Sequence, residues 1–172
     1  LMSRSLEAAR EADLGYDPSL VSTTVVDVKQ NGYDEVRGRA FYRRLLDSVR
    51  ATAGIESATL AEFEPMAFLD TPARRVEIAG YQTRAGEELA FLFNVIAPDY
   101  FRTLRIGLVA GRGFEDRDHD TAMPVVIVNR TLAERFWGGA SDAVGKRLRV
   151  ADGDWRTVVG VVGDVKQYGL DK

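Results

Sequence analysis

Five titratable residues crowd into one short stretch, Glu115, Asp116, Asp118, His119 and Asp120, and here the sequence comes nearest to chemistry. Carboxylates at 116, 118 and 120 match the opening ligands of a calcium loop. Such a loop needs Gly at its sixth place for the sharp turn and Glu at its twelfth to close the coordination sphere. Those places hold Thr121 and Ile127, Arg117 interrupts the run, and the twelfth place falls in an apolar stretch. The pattern reads as a solvated loop, with no metal site. His119 has carboxylates beside it, but nothing supplies the nucleophile or oxyanion donors that a general base would serve.

Other motifs fail on spacing. Gly139 to Lys146 resembles a phosphate loop, but Gly139 lies one residue too far from Gly145-Lys146 and Arg147 replaces the required hydroxyl. Gly111 and Gly113 begin a dinucleotide fingerprint that Asp116 breaks. Asn129-Arg130-Thr131 fits a glycosylation sequon, yet Asn129 is better explained as a helix cap. The carboxylate pairs Glu62 with Glu64 and Glu87 with Glu88 sit in loops or turns and read as solvated. Tyr100, Phe101, Phe136 and Trp137 read as core. No catalytic, metal-binding or nucleotide-binding residues emerge, and no cofactor is implied.

Composition narrows the field further. The absence of Cys removes disulfides, thiolate nucleophiles and Cys-ligated zinc. One His excludes most multi-His metal sites. The net charge is -3, and the 19 Arg and 4 Lys are scattered, so no nucleic-acid partner is expected. The apolar runs at 125–128 and 158–162 fall far short of the roughly 20 residues that span a bilayer. No signal-peptide pattern opens the chain, so an extracytoplasmic address would come from sequence outside it.

Periodicity and punctuation place the elements. A helix is expected over Leu1–Asp13, a strand over Leu20–Val28, and a helix from Asp34 to Thr52 with Phe41, Leu45 and Val49 on one stripe and Gly54 as its cap. A strand over Ile55–Leu60 would complete a β-α-β unit. Alternation at Val76 and Ile78, and again from Leu89 to Val95, predicts a hairpin across the turn at 80–88. A short helix starting at Pro98 and ending at Gly107 precedes a strand at 108–110. The polar stretch 111–120 is the candidate lobe boundary. Beyond it come a strand at 124–128, a helix capped by Asn129 and stopped by Gly138, and strands at 147–150 and 155–162 joined at Asp152-Gly153. The sum is α+β, helices laid against a mixed sheet.

An ordered set of phrases carries a resemblance. It runs through Gly15-Tyr16-Asp17-Pro18, Phe41-Tyr42-Arg43-Arg44-Leu45-Leu46 and Gly54-Ile55-Glu56-Ser57-Ala58. The longest phrase is Phe93-Asn94-Val95-Ile96-Ala97-Pro98-Asp99-Tyr100-Phe101, which continues to Ala110-Gly111-Arg112-Gly113-Phe114. Gly145-Lys146-Arg147-Leu148 and the stretch from Trp155 to Val165 follow. In order and spacing these resemble the extracytoplasmic core domain of MacB-like, FtsX-related ABC transporter permeases, particularly the large duplicated permeases of acidobacterial type, over about residues 14–171.

The resemblance implies a porter-like mixed sheet with packed helices plus a smaller inserted α/β lobe. Residues 1–14 would be the outer end of a membrane-proximal helix, 15–114 and 158–172 the porter-like lobe, and 115–157 the inserted lobe. It implies a non-catalytic domain at the periplasmic face of the cytoplasmic membrane, coupling cytoplasmic ATP hydrolysis to periplasmic movement for export or partner regulation. Its partners would be the rest of the permease, an ATPase subunit or domain, and a periplasmic protein or exported substrate. The family's domain usually continues past 169–171, so an open sheet edge and pairing between copies as a dimer are expected. Hinging is expected at Gly111, Gly113 and Gly160, where glycine permits the backbone change. The alternatives are a free-standing small-ligand module with its site between the lobes, and a hydrolase using His119 and the acidic loop.

Overall fold

A computed structural model describes residues 15–63 and 72–165. The helix expected over 1–13, Glu64, and the chain beyond 165 lie outside the described residues. The architecture is α+β. Strand β1 (Ala73–Ile78) and β2 (Ala90–Leu92) form the expected hairpin, with Ala73 opposite Leu92 and Arg75 opposite Ala90. Then come β3 (Leu108–Gly111), β4 (Val125–Asn129), β5 (Arg147–Val150) and β6 (Trp155–Val162).

One sheet joins these six strands in the order β2-β1-β5-β6-β3, with β4 also on β6. β6 is its spine. Its first residues pair antiparallel with β5 and its last antiparallel with β3, while β4 runs parallel to it from Thr157 to Val162. A strand has only two edges, so β5 and β3 share one edge of β6 end to end and β4 takes the other. The strands of 115–157 therefore pair directly with those on either side: β5 lies on β1, and both β4 and β5 lie on β6.

Four helices accompany the sheet in the described residues: α1 (Glu35–Arg50), α2 (Tyr100–Thr103), α3 (Arg130–Trp137) and α4 (Ala140–Ala143). Asp34 caps α1 by accepting from the Arg37 N–H, and Asn129 caps α3 by accepting from the Leu132 N–H. Gly138 ends α3 in the left-handed conformation. α3 and α4 bury Ala133 and Ala143 against the sheet, where Val158 and Val161 are wholly enclosed together with Val126, Val128 and Leu148. Tyr100, Leu104, Ile106 and Val162 form a second cluster, on which Tyr16, Val21 and Val165 pack.

Several expectations are corrected. Leu20–Val28 forms no strand; a 3-10 turn follows it at Lys29–Asn31. Strand preference in Val and Thr measures fit to a half-buried pleated surface, and here Leu20 is 77% and Val25 83% exposed. Ile55–Leu60 likewise carries no regular ladder, only the bridge of Ala61 with Ile96 beyond it. The expected β-α-β unit is thus α1 between two segments without strand partners among the described residues. α2 begins at Tyr100, so Pro98 precedes it; Asp99 caps at φ 69° with its carboxylate turned to Arg50 and Arg102. Arg105, at φ 56°, and not Gly107, takes the left-handed position after this helix. α1 ends at Arg50 and is capped by Ala51, ahead of Gly54.

Candidate functional site

The acidic loop is an ion-pair network tied to Arg112 and to Arg39 on α1. Asp118, with a side chain only 6% exposed, accepts from both Arg112 guanidinium nitrogens at 2.6 and 2.8 Å and from the Glu115 N–H at 2.8 Å. That hydrogen bonding from Arg112 holds the Asp118 carboxyl below its ordinary range despite the opposing effect of burial. Glu115 pairs with Arg117 at 2.9 Å, and Asp120 with Arg39 on α1, which holds its carboxyl low in the same way. His119 is exposed, its Nδ1 3.0 Å from the Thr121 hydroxyl. Among the described residues no group of three or more His, Asp or Glu is placed to hold a metal ion.

The stretch that resembled a phosphate loop spends its amides internally. The Gly145 N–H donates to Val158 O and the Lys146 N–H to Ala143 O, while α4 fills the positions between. Gly111 and Gly160 are opposite each other in the β3–β6 ladder. Gly111 has φ 72° and a Cβ there would overlap Val159 O; a Cβ on Gly160 would overlap Arg112 O. Close backbone approach therefore demands glycine at both places. Gly113 has open space around it.

A groove of about 630 Å³ lies where the end of β1 and its following turn face the start of β6. Glu77, Ile78, Tyr81, Gln82, Leu89 and Trp155 are among the residues that line it. The Tyr81 hydroxyl donates to Glu87 at 3.0 Å; the Glu87 carboxyl is held low, first by the Arg84 N–H that it also accepts. Arg149 is paired with Glu77 at 2.5 Å and lies 5.2 Å from the centre of the Trp155 ring, with Arg147 at 5.9 Å. Sequence reading missed this groove, because Tyr81 and Trp155 are far apart in the chain. One signal was available: the β5–β6 hairpin register through Asp152-Gly153 sets Arg149 opposite Trp155.

The profile of the MacB-like periplasmic core domain matches residues 17–171. No curated protein matches. Among solved structures, the periplasmic region of MacB from Actinobacillus actinomycetemcomitans is 16% identical, with 72% of this chain and 50% of that one covered and a TM-score of 0.48. A domain of a putative permease protein from Porphyromonas gingivalis is 17% identical, with 71% and 50% covered and a TM-score of 0.49. This chain matches half the length of each of these structures. With the profile spanning nearly the whole sequence, the chain belongs to the MacB-like periplasmic core domain family.

Proposed function

We propose that this chain is the non-catalytic, extracytoplasmic domain of an ABC transporter permease, which transmits movement driven by cytoplasmic ATP hydrolysis to a periplasmic partner or exported substrate. The observation that carries this reading is the family match over residues 17–171. Among the described residues no helix is long and apolar enough to cross a membrane. One contact is in keeping with the reading. Gly15 lies against the backbone of Asp164 and Val165 so closely that no Cβ fits, so the chain enters and leaves the described region at one place. That arrangement is compatible with a domain held between two membrane helices.

The division into a porter-like lobe (15–114 and 158–172) and an inserted lobe (115–157) belongs to the same proposal. So does movement between them at Gly111, Gly113 and Gly160. The groove between β1 and Trp155 is where the alternative, a small-ligand module, would place its site. The family match favours the permease domain. Sequencing the coding DNA on both sides tests it. Apolar spans of roughly 20 residues, one before Leu1 and one after Lys172, are expected. Start and stop codons close to both ends would overturn the reading.

A further inference from the structure

We infer that the two ends of the described chain are tied to different strands, so that a displacement between them is delivered as shear to the β3–β6 ladder. Asp17 and Arg105 tie the leading end to β3, and Asp164 ties the trailing end of β6 to β4 and α3. The inference rests on the permease-domain reading only for the source of that displacement. The two ends start together, since Gly15 lies against the backbone of Asp164 and Val165. From there their contacts diverge. The Asp17 N–H donates to Leu104 O at 3.2 Å, and the Asp17 carboxylate accepts from Arg105 at 2.8 Å. Arg105 holds a left-handed φ of 56°, which a residue other than glycine keeps only where its surroundings fix it. An exposed ion pair contributes little alone, but Tyr16 and Val21 also pack on the cluster of Tyr100, Leu104 and Ile106. Just beyond Arg105 and Ile106 the chain enters β3.

The trailing end takes another route. Asp164, just past the end of β6, accepts from Asn129 Nδ2 at 2.6 Å and from the Thr131 N–H at 3.1 Å. Asn129 closes β4 and caps α3, so one carboxylate fastens the outgoing chain to both. β3 and β4 occupy opposite edges of the last residues of β6. β4 is paired along its whole length, Val125 to Asn129, whereas β3 is paired only at Leu108, Ala110 and Gly111, with a register shift between the first two. Load applied to the ends therefore carries β6, β4 and α3 together and falls on the shorter β3–β6 ladder.

Pulling the chain by its ends tests this route. The protein has no Cys, so Ser3→Cys and Lys172→Cys each take one handle in an optical trap. Arg105→Gly suits the left-handed backbone while removing the guanidinium, and Asp164→Ala removes the trailing tie. Each should lower the first rupture force by roughly a quarter, because forced opening follows the rate of unfolding under load. Asp17→Asn keeps an oxygen for the Ser19 N–H and should reproduce Arg105→Gly. Moving the handles to Ala85→Cys and Asp154→Cys, in the turns after β1 and before β6, loads the sheet without loading the ends. There the variants should rupture at the parent's force. Unchanged force for either variant on end pulling, or an equal fall in both pulling directions, would overturn the route. Flanking DNA without membrane spans would remove the permease reading and leave the force result standing, so the two fail separately.

Discussion

At the residue scale, the feature most dependent on its neighbours is Asp118. Its carboxylate satisfies Arg112 twice and the Glu115 amide once, so Asp118→Ala leaves a half-buried guanidinium and a backbone donor without their partner. A loss of about 1–3 kcal/mol is expected, read as a fall of about 2–4 °C in Tm per kcal/mol at this chain length. The pH dependence follows from the depressed carboxyl. Its contribution is complete above the unfolded value of about 3.9 and is lost as pH falls through the lower folded value. Acid titration of the variant should therefore show less loss of stability below about pH 4 than the parent.

Tyr100 behaves in the opposite sense. Burial first, and the neighbouring Tyr16 second, push its hydroxyl up to about 12. The neutral form is the one the fold favours, so stability is unaffected below the unfolded value of about 10 and declines as pH rises from there toward 12. Absorbance titration should show a tyrosine ionising near pH 12 that is missing from Tyr100→Phe. Tyr100→Phe should remove part of the alkaline sensitivity seen by circular dichroism.

At the element scale, β6 carries the architecture because both of its edges are occupied along most of its length. Gly160 is the point where this is tightest. Its replacement by Ala puts a methyl group onto Arg112 O, which must push β3 away from β6. We expect Gly160→Ala to cost about 1–3 kcal/mol, against about 0.5 kcal/mol or less for Gly113→Ala, where space is open. Denaturant unfolding of the two variants side by side measures the difference. α3 is legible in the same local terms: Asn129 begins it and Gly138 ends it, each through a hydrogen bond within a few residues. α2 is not, because Asp99 gives its carboxylate to Arg50, 49 positions away, and Arg105 adopts a conformation usually left to glycine.

At the scale of the whole molecule, the two-lobe proposal and the single shared sheet meet at Gly111, Gly113 and Gly160. Hinge motion there predicts that the amides of these residues exchange faster than those of Val158 and Val161, which are wholly buried in the same sheet. Amide exchange read by mass spectrometry or NMR decides between them. Equal protection at the glycines and in β6 would remove the hinge and leave the 15–114, 115–157 and 158–172 segments moving as one body. Rigid transmission would then run from the junction of Gly15 with Asp164 into the N-terminus of α3. Asp164 accepts there from Asn129 Nδ2 at 2.6 Å and from the Thr131 N–H at 3.1 Å.

What the sequence determined by itself is whatever depends on near neighbours and on pattern. That includes the existence of α1, α3 with its two caps, the β1–β2 and β5–β6 hairpins, and the ordered phrases that carried the family. Capping, turn chemistry and side-chain alternation act over a few residues, so they are written locally. What only the tertiary structure decided is whether a segment finds a partner. The Val- and Thr-rich stretch at 20–28 has strand composition but no ladder, because a strand exists only beside another edge. The crowding of Gly111 on Gly160, the enclosure of Asp118 and the groove between Tyr81 and Trp155 were equally out of reach, since each depends on residues brought together across the sheet or by the folding of the loop.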